Sequence, residues 1–223
     1  MLMENGLELR NKVIDIALKM SRSGMAPATW GNVSARDSET GYIFITPSGM
    51  DYNELHPEDI CVVDNEGKMV EGKWKPSTET PLHLLFYRER PWIGGIVHTH
   101  SIFATAFACA GKSIPVVIAT LASKVGGDVP IAPYMSSGTE EFGRNALDAM
   151  GDKTAVLLAN HGVVAVGNNL DDAYTTAEIV ENAAKIYVIS NSIGTPLRLD
   201  DNEILNIRKK YLTKYGQRDH KEE

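Results

Sequence analysis

His98 and His100, in Gly94-Gly95-Ile96-Val97-His98-Thr99-His100-Ser101, stand one residue apart. In an extended backbone alternate side chains leave the same face, so both imidazoles point into one space. An isolated histidine is more often a surface or hydrogen-bonded residue than a ligand, but two on one face make half of a metal site. Glu79, in Lys75-Pro76-Ser77-Thr78-Glu79-Thr80-Pro81, and His161, in Leu158-Ala159-Asn160-His161-Gly162, supply the partners. Three imidazoles and one carboxylate suit zinc or a similar first-row ion, and a carboxylate able to leave would open a position for substrate. The chain has six histidines, so this set takes half of them. His56, His83 and His220 lack comparable context and read as surface or helix residues.

Spacing tests two other metal folds. A cupin needs a glutamate shortly after its paired histidines, and Ser101-Ile102-Phe103-Ala104-Thr105 has none. An amidohydrolase barrel also carries such a pair on an early strand. However, 223 residues is short for a barrel and the strand-helix alternation is missing. Metal-dependent hydrolysis stays as the weaker competitor.

A second cluster bears on the substrate. Thr29-Trp30-Gly31-Asn32-Val33-Ser34, Thr46-Pro47-Ser48-Gly49 and Ser77-Thr78 are three turns rich in glycine, hydroxyl and amide groups. Each can aim neutral donors at an anion. The third precedes a helix start, where unsatisfied N–H groups and the helix dipole favour phosphate.

The elements that must hold these residues follow from periodicity. Leu9, Val13, Ile16, Ala17 and Met20 recur at helical spacing, and Gly24 closes that helix. Tyr42–Thr46 and Ile60–Val63 are β-rich runs, with Asp64-Asn65-Glu66-Gly67 as a hairpin turn before Met69 and Val70. Thr80 is expected to cap a helix that begins at Pro81 and runs to about Arg88. After the paired histidines, Ile102–Ala110 reads as a short helix, and Ile114–Ile118, Ala155–Leu158 and Val163–Val166 read as strands, with His161 at a break. A long helix opens at Asp171 and Asp172 and ends near Gly194. A last one runs from Asp201 to about Tyr215, with Gly216 as its stop. The sum is a mixed α/β fold with a largely antiparallel sheet and helices outside.

Composition narrows the function. With 43% hydrophobic residues and no Pro/Gly/Ser-rich linker, the chain reads as one domain over 1–216, followed by a charged tail at 217–223. A net charge of −7, from 22 basic and 29 acidic residues, argues against a nucleic-acid or anionic-membrane surface and for a small-molecule partner. Cys61 and Cys109 give no disulfide framework, which favours a reducing cytoplasm. The N-terminus meets acidic residues at once and reads as neither signal peptide nor membrane anchor.

Taken in order, Thr-Trp-Gly-Asn-Val-Ser-Ala, Thr-Pro-Ser-Gly, Lys-Pro-Ser-Thr-Glu-Thr-Pro, Gly-Gly-Ile-Val-His-Thr-His-Ser and Asn-His-Gly resemble the class II aldolase and epimerase family. The likeness spans about Leu7 to Tyr215. It implies a three-layer α/β/α fold with a central, mainly antiparallel sheet, assembled as a homotetramer with active sites between subunits. Glu79, His98, His100 and His161 fall on the family's zinc ligands, and manganese or another divalent ion is an alternative. Gly31 with Asn32, Ser48 with Gly49, and Ser77 with Thr78 fall on its phosphate-binding pairs. Tyr215 resembles the C-terminal tyrosine that a neighbouring chain contributes to proton transfer.

The implied reaction is cleavage of a ketose 1-phosphate, L-fuculose 1-phosphate or a related deoxy sugar phosphate, to dihydroxyacetone phosphate and an aldehyde through an enediolate. The divalent ion spreads the carbanion charge, Glu79 acts as acid or base once displaced, and Tyr215 moves the proton on the aldehyde oxygen. Within the family, the epimerase places an acid/base aspartate between Ile118 and Val125, where this chain has Ala122-Ser123-Lys124. It also prefers aspartate where Glu79 stands, and carries an insertion before the third histidine that is absent here. Aldol cleavage is therefore favoured over L-ribulose-5-phosphate 4-epimerisation or a related dehydratase or decarboxylase reaction. Ala119 stands where fuculose-phosphate aldolase has a second tyrosine, and Ser137 where it has a phenylalanine. These two changes point to a different aldehyde, such as that of a five-carbon deoxy or methylthio sugar. The same fold serves as an interaction domain in adducins, but such a domain has no need of four ligands.

Overall fold

The computed structural model describes residues 2–215. The expected charged tail and the Gly216 stop lie outside the described residues. The chain alternates short strands with helices: α1 (Leu2–Arg22), β1 (Asn32–Arg36), β2 (Ile43–Ile45), β3 (Cys61–Val63), β4 (Met69–Glu71), α2 (Thr80–Glu89), β5 (Gly95–Thr99) and α3 (Ile102–Cys109). Then follow α4 (Ala119–Val125), β6 (Ile131–Ala132), α5 (Glu140–Met150), β7 (Ala155–Leu158), β8 (Gly162–Gly167), α6 (Leu170–Ile193) and α7 (Asp201–Lys214). The eight strands form one sheet in the order β4-β3-β2-β1-β5-β8-β7-β6. Only β6 and β7 run parallel; every other pair is antiparallel. This is the expected three-layer arrangement.

Alternation along the strands splits the core in two. Val33, Ala35, Val97, Val163 and Ala165 face one side, with α1, α3 and α6 packed on the sheet, α4 against α6, and α7 against α4. Ile43, Ile96, Val156, Val164 and Val166 face the other, against α2 and α5. Each fully buried Val, Ile or Leu contributes about 1.5–3 kcal/mol relative to its exposed state. The central strands are thus fixed in register, because a one-residue slip would move every side chain to the wrong layer.

Helix ends follow local chemistry. The backbone after α1 turns at Gly24, where φ is +75°, and Met25 N–H returns to Met20 carbonyl. Thr139 caps α5 by accepting from Phe142 N–H, and Asn169 caps α6 by accepting from Asp172 N–H.

Several expectations need correction. Glu79, one residue before Thr80, is the N-cap position of α2, and Thr80 is already helical. Ile114–Ile118 makes only an isolated bridge from Ile114 to Val129, because Pro115 cannot donate to a ladder. Segment Thr29–Ser34, read as a turn, becomes strand from Asn32 and pairs with both β2 and β5. The helices α4 and α5 were not anticipated.

Candidate metal centre

β5 ends at Thr99, and His98 and His100 project from its end with their Nε2 atoms 3.0 Å apart. Strand β8, paired antiparallel to β5, starts just after His161, so the third imidazole arrives at the same end of the sheet. Asn160 takes φ +56° to make the sharp entry, and Gly162 lies so close to Thr99 carbonyl and both imidazoles that a Cβ there would collide. All three ring donors lie within 4.8 Å of one another. Their centroids are 4.9, 4.9 and 5.0 Å apart, and the rings meet edge to face. Phe142 of α5 stacks on His161 at 5.5 Å and holds that ring from outside.

Glu79 completes the cluster from the start of α2. Its Oε2 is 3.1 Å from His98 Nε2, and its Oε1 is 3.3 Å from His161 Nε2. Oε2 also accepts from Asn32 Nδ2 at 2.8 Å, whereas buried Oε1 has no hydrogen bond. Val163 carbonyl can only accept, so its contact with His98 Nδ1 at 2.9 Å puts the neutral ring's hydrogen there and leaves Nε2 with a lone pair. Lone pairs and an orphaned carboxylate oxygen facing one point fit a divalent cation. Burial, with repulsion from neighbouring rings, lowers His100 to about 3 and His161 to about 4. Both are therefore neutral donors at pH 7. Burial opposes ionisation of Glu79, but His98, the Asn32 amide and His161 together hold its carboxyl below the ordinary value.

The three turns rich in neutral donors do converge here. A cavity of about 270 Å³ is lined by Thr29–Asn32, Pro47–Gly49, Ser77–Glu79, His100, Ser137 and His161. A bridge between Pro47 and Pro76 ties two of the turns together. Gly31, at φ +116°, must be glycine: a Cβ would stand 2.8 Å from His98 carbonyl. Trp30, largely exposed, flanks His100 with ring centroids 6.0 Å apart. Two larger cavities, of about 640 and 660 Å³, include Asn168 and so open at the opposite end of β8, and neither holds a histidine.

Tyr215 is elsewhere. It follows α7, is exposed, leans on Tyr211 at 5.0 Å, and lines a shallow hollow with Ser123, Lys210 and Lys214. Ala119 is likewise exposed, at the start of α4. His83, expected at a surface or on a helix, is indeed helical but fully buried. It contacts Asn32 and Ser34 rather than solvent. The missed signal was its spacing: four residues after Glu79 puts it on the same helix face.

A family model described as "Class II Aldolase and Adducin N-terminal domain" matches residues 11–188. The chain belongs to the class II aldolase and adducin family. One class II relative, 5-deoxy-D-ribulose 1-phosphate aldolase of Bacillus thuringiensis serovar kurstaki, is 41% identical over 208 residues, covering 93% of this chain and 97% of the relative. The solved structure of an L-fuculose 1-phosphate aldolase superposes with TM-score 0.89 at 38% identity, covering 92% of this chain and 96% of that one. L-fuculose-1-phosphate aldolase from Thermus thermophilus gives TM-score 0.73 at 28% identity, covering 83% of this chain and 95% of that one. The architecture above is therefore the class II aldolase fold. No helix among the described residues is long and apolar enough to cross a membrane.

Proposed function

We propose that this chain is a divalent-metal aldolase that cleaves a ketose 1-phosphate to dihydroxyacetone phosphate and an aldehyde. The observation that carries this reading is the meeting of His98, His100 and His161 with the orphaned Oε1 of Glu79 beside a donor-lined cavity. A bound zinc or manganese ion would supply the Lewis acidity that stabilises negative charge left when a carbon–carbon bond beside a ketone breaks.

The chain's own residues do the rest. His98, His100 and His161 would hold the ion through ring nitrogens, and Val163 carbonyl orients His98. Glu79 would hold the ion through its free Oε1 and, with substrate in that place, would accept or donate the proton. Gly31, Asn32, Ser48, Gly49, Ser77 and Thr78 orient the phosphate with neutral donors, which is compatible with the acidic net charge.

Tyr215 acts on the aldehyde oxygen of a neighbouring subunit's site. Its exposure, with that of Ile102, Ile193, Leu197 and Leu205, supports a homotetramer. We place the enzyme in the cytoplasm, as a single domain over residues 1–216, without nucleic-acid or membrane partners. The likeness to 5-deoxy-D-ribulose 1-phosphate aldolase, with Ser137 on the cavity wall, supports a five-carbon deoxy sugar phosphate as substrate.

The test is a panel of ketose 1-phosphates and L-ribulose 5-phosphate offered to the zinc- or manganese-loaded protein. Release of dihydroxyacetone phosphate is expected. Formation of the C4 epimer without free aldehyde would replace cleavage by epimerisation, and no reaction with no bound metal would favour an interaction domain.

A further inference from the structure

β1 turns Asn32 and Ser34 toward the α2 layer, and both are buried. Each meets His83 of α2. Ser34 Oγ lies 2.6 Å from His83 Nδ1, His83 Nε2 lies 2.6 Å from Asn32 Oδ1, and Asn32 Nδ2 donates to Glu79 Oε2 at 2.8 Å. Tyr87, one helical turn on, donates to Ser34 carbonyl at 2.9 Å and sits 2.8 Å from Ser34 Oγ. Thus an unbroken line of hydrogen bonds runs from the floor of the core to the metal centre.

Proton positions along this line follow from its end. An ionised carboxylate only accepts, so Asn32 must turn its NH₂ toward Glu79 and its carbonyl toward His83. That carbonyl only accepts, so the His83 hydrogen resides on Nε2. Nδ1 then keeps a lone pair, which takes the Ser34 hydroxyl hydrogen. Turning the Asn32 amide over would set its oxygen against the Glu79 carboxylate and leave two buried acceptors facing each other.

We infer that His83 is a positioning residue that locks the Asn32 amide, so that Glu79 keeps Oε2 hydrogen-bonded and directs Oε1 at the three imidazoles. This inference rests on the metal-centre reading of Glu79. His83 itself touches neither the cavity nor the imidazole cluster. Its effect passes through Asn32, as partners behind a metal ligand orient that ligand elsewhere.

Side-chain ¹⁵N NMR of the full-length, metal-free protein reads the His83 tautomer without any assay. A neutral ring with its hydrogen on Nε2 is expected; a hydrogen on Nδ1 overturns the inference. Two variants then separate positioning from packing. His83→Phe fills the space without a donor, and His83→Gln keeps an N–H. For the phenylalanine variant, zinc affinity or kcat should fall about 10–100-fold with KM little changed, and glutamine should restore most of the loss. A folded His83→Phe protein with unaltered zinc affinity and kcat overturns the inference, as does glutamine performing no better than phenylalanine. The tautomer needs no variant and no activity. Failure of the native protein to bind zinc would refute the metal reading instead, with the tautomer unaffected.

Discussion

The Glu79 end of α2 and the Tyr215 end of α7 were both assigned to catalysis from sequence, yet the fold treats them oppositely. Glu79 is buried, hydrogen-bonded on one oxygen, and within 3.3 Å of two imidazoles, one on β5 and one in the turn before β8. Tyr215 is 72% exposed, next to exposed residues of the helix it follows. A ligand cluster needs fixed geometry before the ion arrives, and a sheet core supplies that within one chain. A tyrosine that serves a neighbour's site needs the reverse: it must project outward and find its geometry on assembly. On the proposed reading, the metal centre is a property of the chain and the proton shuttle a property of the oligomer.

Substitutions can break that contrast. Glu79→Gln or His98→Ala should abolish dihydroxyacetone phosphate release, and His98→Ala should also remove the bound metal, read by elemental analysis. By contrast, Tyr215→Phe should leave metal content unchanged while kcat falls about 100-fold, the scale of one lost proton-transfer group. Mixing Glu79→Gln chains with Tyr215→Phe chains, after dissociation and reassembly, should restore part of the activity. No restoration would place both residues in one chain's site.

Acid sharpens the contrast further. In the metal-free protein, His100 and His161 stay neutral down to about 3 and about 4, and His83 to about 3, chiefly because they are buried. An unfolded chain takes up those protons near pH 6.5, so it binds more protons than the folded one between roughly pH 6.5 and 4. Stability must therefore fall as pH drops through that window, by about 1.4 kcal/mol per pH unit for each imidazole. Urea unfolding at stepped pH measures this. At α5, the smallest effect, Thr139→Ala should cost about 1 kcal/mol through loss of its N-cap, without changing metal affinity.

How much of this was legible depended on whether one local rule sufficed. The paired imidazoles were readable because strand period alone aims them together, and the break before His161 because Asn160 and Gly162 sit between two apolar runs. The cavity turns were readable as donor-rich segments, but their convergence comes from β1 lying between β2 and β5, which no single segment states. β1 was missed although Asn32-Val33-Ser34-Ala35-Arg36 alternates polar with apolar, because the preceding Gly31 and the donor-rich composition read as a turn; Asn32 and Ser34, on the polar face, are the residues that contact His83. α5 was missed although Phe142, Ala146, Leu147 and Met150 recur at helical spacing behind a threonine cap. His83 was misplaced because a histidine without nearby ligands looks like a surface residue until the partner strand is known.

The central claim is that residues 79, 98, 100 and 161 grip a single ion. Calorimetric titration of the metal-free protein with zinc tests it directly. One ion per chain is predicted, with binding lost in His161→Ala and weakened in Glu79→Gln. Zinc binding undisturbed by His161→Ala, or absent from the native protein, would contradict the account.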